Sequence, residues 1–104
     1  MHSLTSTEVC GMLKISVIES PRRRRLVLEG SLIEPWVAEV LREYTRAKEH
    51  LDGRELVIDL TNLTAMSGAG EDAILELMED RARFQSGVFA KEVLKQLASK
   101  RRPQ

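Results

Sequence analysis

Leu56-Val57-Ile58-Asp59-Leu60-Thr61-Asn62-Leu63-Thr64-Ala65-Met66-Ser67-Gly68-Ala69-Gly70 is the stretch on which the fold turns. Leu56, Val57 and Ile58 are consecutive and apolar, so the strand they form is buried on both faces, as a central parallel strand is. Thr61 to Gly70 is small and polar and reads as a loop. Gly70-Glu71-Asp72 then opens a helix with Ala73, Ile74, Leu77 and Met78 inward, and the acidic residues of its first turn suit the positive end of the helix dipole.

Upstream, Trp36, Val37, Val40, Leu41, Tyr44, Ala47 and Leu51 recur at helical spacing, with Glu39, Arg42, Glu43, Arg46 and Glu49 on the opposite face. Pro35 suits the first turn of this helix, Ser31 and Glu34 are spaced like a capping box, and Asp52-Gly53 ends it. Earlier still, Leu13, Ile15 and Val17 alternate with Lys14 and Ser16, so Leu13 to Ile18 is a half-buried strand. Ser20-Pro21 breaks it, and Arg25 to Glu29 returns as its hairpin partner. Downstream, Ala82 to Ser86 is a short strand candidate, and Phe89, Ala90, Val93, Leu94 and Leu97 form a third helical stripe.

The order strand, strand, helix, strand, helix, strand, helix predicts an α/β fold: a small mixed sheet of about four strands with three helices packed mainly on one face. The chain has 104 residues, enough for one core and not two. Residues 12–99 form the expected domain, with a loose arm over residues 1–11 and a frayed basic tail over residues 100–104. Hydrophobic residues at 42% and charged residues at 31% fit a folded domain rather than a disordered chain. Sixteen acidic and sixteen basic side chains cancel, so no overall field draws the protein to nucleic acid or to an anionic membrane. No apolar run predicts a signal peptide or direct membrane insertion, and a lone cysteine, Cys10, suits a reducing compartment; the expected location is cytoplasmic.

Two segments, Glu29-Gly30-Ser31-Leu32-Ile33-Glu34-Pro35-Trp36-Val37 and Leu56 to Gly70, together resemble the STAS family of sulfate-transporter and anti-sigma-factor-antagonist domains. Members pair an L-x-G-x-L hairpin exit before the first helix with a V-x-D-L strand and loop before the second. The resemblance covers Met12 to about Ser99 and looks like a compact bacterial single-domain branch. It implies a non-enzymatic, protein-binding role in signal transduction and transcription regulation, the partner being an anti-sigma factor or kinase-like regulator. Met66, Ser67, Gly68, Ala69 and Gly70 would form the docking loop. In phosphorylation-switched members the residue after a loop aspartate is the phosphoacceptor. Read without gaps, Ser67 falls on that aspartate and Gly68 on the acceptor, which removes the hydroxyl; a one-residue slip would bring Ser67 into the acceptor place. The family also serves in ligand or nucleotide sensing and as an accessory subunit of transport complexes, and both remain alternatives.

Other residues carry weaker signals. The loop at Ala65 to Gly70 could cradle an anion at a helix N-terminus, but it has no P-loop lysine, and Glu71 and Asp72 follow it. Arg22 to Arg25 could meet phosphates, yet without interleaved aromatics the run reads as an exposed hairpin turn and no nucleic-acid partner is expected. His2, His50 and Cys10 lie in no metal or nucleophile spacing, so neither a cofactor nor a metal is expected. Asp59, at a strand end, is read as capping the next turn, and Trp36 is read as a core residue. Ile18 and Val27 of the first hairpin, Leu13 to Glu29, fall out of step with the inward alternation, and a weak homodimer or a constitutive complex with a larger partner, formed through them, is expected to cover the open side of the sheet.

Overall fold

The computed structural model describes residues 5–101. In chain order they form β1 (Thr5–Cys10), β2 (Leu13–Glu19), β3 (Arg23–Leu32), α1 (Val37–Ala47), β4 (Glu55–Leu60), β5 (Leu63–Met66), α2 (Gly68–Glu79), β6 (Arg83–Ser86) and α3 (Val88–Arg101). The protein is an α/β fold with a mixed sheet in the order β1-β2-β3-β4-β6. The first two pairings are antiparallel and the next two parallel.

β3 is the organising strand. Its first half pairs with β4 as far as Val27 opposite Asp59, and its second half pairs with β5, Gly30 lying opposite Leu63 and Leu32 opposite Met66. The partner changes at a turn where Asp59 Oδ1 accepts from the Thr61 backbone N–H at 2.9 Å and Gly30 N–H donates to the Asn62 carbonyl at 3.1 Å. Asp59 therefore caps the turn that lets one strand succeed another.

Alternation along the strands sorts the side chains into two faces. Leu13 and Ile15 of β2, Leu26, Leu28 and Leu32 of β3, and Ile58 and Leu60 of β4 are fully or almost fully buried in one core with residues from all three helices. α1 contributes Val37, Val40 and Tyr44; α2 contributes Ala73, Ile74 and Leu77; α3 contributes Ala90 and Leu97. The expected one-sided packing is thus present. The other face carries Ser16 and Ile18 of β2, Arg25 and Val27 of β3, and Val57 and Asp59 of β4, with no helix over it. Val27 is nevertheless buried among its neighbours, so of the pair Ile18 and Val27 only Ile18 presents much apolar surface.

The strand count exceeds the expected four, and two expectations change with it. The loose arm is replaced over Thr5–Cys10 by an edge strand, because Gly11 at φ +57° allows a two-residue hairpin turn that lays this segment along β2 from Cys10 opposite Leu13 to Thr5 opposite Ile18. Of the expected frayed tail, Lys100 and Arg101 belong to α3, which runs to Arg101. Residues 1–4 and 102–104, His2 among them, lie outside the described residues. The capping box is also absent: Ser31 is in β3, and α1 begins after Trp36 with no side-chain cap. Trp36 is half-buried and packs against the core from its margin, its indole lying over Gly11, where an added Cβ would come within 2.6 Å of Nε1. No helix among the described residues is long and apolar enough to cross a membrane.

Gly30 shows how closely this sheet is built. It has φ +97°, and a Cβ there would land on the Met12 carbonyl oxygen, whereas Gly53, at φ +84°, has open space around it. Gly30→Ala is expected to cost about 3 kcal/mol in urea unfolding, from backbone strain plus overpacking. Gly53→Ala should cost only the strain, about 1 kcal/mol. Equal losses at the two positions would show that the Met12 contact does not constrain the sheet.

Candidate protein-docking site

β5 delivers the chain to Ser67, and Ser67 starts α2. Its backbone is extended, its N–H donates to the Leu32 carbonyl at 3.0 Å, and its Oγ accepts from the Gly70 N–H at 3.1 Å. The side chain thus satisfies one of the N–H groups that a helix start leaves unpaired. Gly70 is buried, and a Cβ there would lie 2.5 Å from the Leu32 carbonyl oxygen and 2.8 Å from Met66 Cγ. Only glycine lets α2 approach β3 so closely. Gly68 is the opposite case: it is exposed, and a side chain there would meet nothing within 4 Å. Met66 and Ala69 are half-buried beside it. The five residues read as a docking loop are therefore contiguous, with Gly68 the most accessible of the five and the Ser67 hydroxyl engaged as a cap.

The carboxyl ends of the parallel strands gather further segments around this loop. Ser31 N–H donates to the Met12 carbonyl at 3.0 Å, Gly30 is bonded to Asn62, and Gly87 packs so tightly on Thr61 that an added Cβ would lie 2.6 Å from its carbonyl oxygen. A continuous rim thus runs from the β1–β2 turn through β3 and the β4–β5 turn to the start of α3. Met12 is 70% exposed, Val88 92% and Phe89 39%, and these are the large apolar residues left exposed among the described residues. All three sit on this rim.

Sequence reasoning placed Phe89 in the inward stripe of the third helix and gave Met12 and Val88 no role. The signal was present: Ala90, Val93, Leu94 and Leu97 already complete an i, i+3, i+4, i+7 stripe, which leaves Val88 and Phe89 on the first turn outside it.

No family model matches the chain, and no curated protein matches it closely enough to count as a relative.

Two grooves lie away from the rim. One, of about 320 Å³, lies beside Val17, Glu19, Arg24, Ala47 and His50 at the amino end of the sheet. Here the expectation that Arg22 to Arg25 form a wholly exposed turn is corrected, because Arg24 alternates inward with Leu26 and Leu28 and is 8% exposed. Its Nη1 donates to the Ala47 and Glu49 carbonyls at 2.8 and 2.6 Å, and its Nε to Glu19 Oε1 at 2.9 Å. Arg54 Nη1 reaches the same Glu19 oxygen at 2.6 Å. The Arg24 and Arg54 guanidiniums together hold the Glu19 carboxyl below the ordinary carboxylate range.

The second groove, of about 360 Å³, lies between α1 and α2 beside Leu41, Tyr44, Lys48, Leu77 and Asp80. Tyr44 OH donates to Asp80 Oδ2 at 2.6 Å, and Lys48 Nζ donates to the same oxygen at 2.9 Å. Burial, reinforced by the bond to Asp80, raises the Tyr44 phenol well above its ordinary value, so it stays protonated, a donor and not a base. The bonds from Tyr44 and Lys48 hold Asp80 low. These groups tie the two helices together. Among the described residues no three His, Cys, Asp or Glu side chains converge as a metal set.

Two stability measurements follow from this geometry. Ser67→Ala should cost about 1 kcal/mol by losing the helix cap. Glu19 is a group whose folded pKa is depressed, so its contribution is complete above the unfolded glutamate pKa and is lost as pH falls through the lower folded value. Glu19→Gln should therefore destabilise at neutral pH and lose progressively less relative to the parent below about pH 4.3. A difference in melting temperature that stayed constant down to strongly acidic pH would argue that Glu19 is not held by the two arginines.

Proposed function

We propose that this chain is a non-enzymatic, regulatory protein-binding module of the STAS type, acting in the cytoplasm on an anti-sigma factor or kinase-like regulator. Its docking surface is the carboxyl end of the sheet: the loop Met66–Gly70 together with Met12, Val88 and Phe89. The observation that carries the reading is the gathering of the exposed apolar side chains on the same rim as that loop. Exposed apolar side chains spaced along such a rim suit an interaction surface, since leaving them in water is unfavourable and a partner removes that cost. The order of elements, with a helix opening directly after the strand that follows Asp59-Leu60, is in keeping with the resemblance drawn from sequence.

Gly68, at the acceptor-equivalent position, has no hydroxyl to modify, and Ser67 uses its oxygen as the α2 cap. We read the module as constitutively competent to bind rather than switched by phosphate on this loop. Incubation with a kinase-like regulator and ATP should leave the loop peptide unmodified by mass spectrometry; stoichiometric phosphate on Ser67 would restore the switch.

Binding is tested by calorimetry against purified kinase-like anti-sigma regulators. Val88→Asp and Phe89→Asp replace exposed side chains and should leave the melting temperature nearly unchanged while weakening binding at least tenfold, the loss of a central apolar contact. Lys48→Ala, in the groove between α1 and α2, should bind like the parent. If both Asp variants bind normally while Lys48→Ala does not, the docking surface lies between the helices.

A further inference from the structure

The uncovered face of the sheet holds a charge imbalance that the neutral chain as a whole conceals. Ile18 of β2, Arg25 of β3, Val57 of β4 and Arg83 of β6 form one row across the sheet, and Arg23 opposite Glu55 forms the next row toward the amino ends. Glu55 lies 3.8 Å from Arg23 Nη2 and 3.5 Å from Arg83 Nη1, so one carboxylate serves two guanidiniums. Arg25 is half-buried between Ile18 and Val57 and has no acidic partner among the described residues. Arg22, exposed in the turn before β3, adds a fourth cation at this end.

A half-buried guanidinium has lost part of its water without gaining a carboxylate, and its planar fork of donors fits a carboxylate in two-point contact. Arg25 and Arg83 are two strand spacings apart, about 10 Å, with Val57 between them. Two turns of a helix place side chains about 11 Å apart on one face.

We propose that this row is a second docking surface, for an acidic segment of a partner protein whose carboxylates engage Arg25 and Arg83 across the buried Val57, while an apolar residue beyond Arg25 covers Ile18. It is separate from the carboxyl-end site and does not depend on it. Protein is the favoured partner over nucleic acid because the face has no aromatic platform on which bases could stack: Tyr44 and Phe84 pack on the core, Trp36 lies by Gly11 and Phe89 is on the rim.

Fluorescence anisotropy with labelled poly-L-glutamate tests the surface, with poly(U) RNA as the competing probe. The parent should bind poly-L-glutamate at low salt and lose at least tenfold in affinity at physiological salt. Arg25→Gln with Arg83→Gln should weaken binding tenfold or more while still melting cooperatively, and Lys91→Gln with Lys95→Gln, on α3, should not. Glu55→Gln removes the competing carboxylate and should strengthen binding severalfold, a gain that misfolding does not produce. No binding of poly-L-glutamate, no effect of the double arginine variant, weaker binding by Glu55→Gln, or tighter binding of poly(U) would each overturn the proposal.

Discussion

Arg24 carries the one positive charge buried beneath the helices among the described residues, and the arrangement of the amino end of the sheet follows from satisfying it. A guanidinium withdrawn from water costs several kcal/mol unless its donors find partners. Here the partners are Glu19 and the carbonyls of Ala47 and Glu49, with His50 at a longer 3.4 Å. Those carbonyls belong to the end of α1, where a helix always leaves acceptors unused. One side chain thus joins β3, the preceding strand and the helix that crosses over to β4. Arg54 repeats the pattern from the far side, donating to Glu19, Leu51 and His50.

The two ends of the sheet are consequently built from different chemistry. The amino end is held by ion pairs and by side chains reaching carbonyls. The carboxyl end is held mostly by backbone contacts too close for any residue but glycine at positions 30, 70 and 87. Because those contacts use few side chains, the side chains of Met12, Val88 and Phe89 are left pointing outward. A rigid backbone rim with free apolar side chains suits recognition of a protein surface, since little ordering remains to be done on binding.

Much of this was legible in the sequence. The alternation at Leu13 to Val17, the helical stripe from Trp36 to Leu51 and the apolar run at Leu56 to Ile58 each reported a side-chain environment and each marks an element, although α1 stops at Ala47, short of the expected end at Asp52-Gly53. What escaped was set by pairing rather than by period. β5 is only four residues long and becomes a strand only because β3 outruns β4 and offers it a free edge. β1 depends on a glycine turn beside it, and the inward turn of Arg24 depends on a helix end distant in sequence. The loop Met66–Gly70 was found as a unit; the apolar residues that surround it come from three separate segments and meet only in the fold.

Hydrogen exchange of the intact chain, with and without a bound kinase-like anti-sigma regulator, decides whether the carboxyl rim is the working surface. New protection is expected at residues 11–13, 61–70 and 87–90, with the groove between α1 and α2 exchanging as in the free protein. Protection confined to that groove, with the rim unchanged, would contradict it.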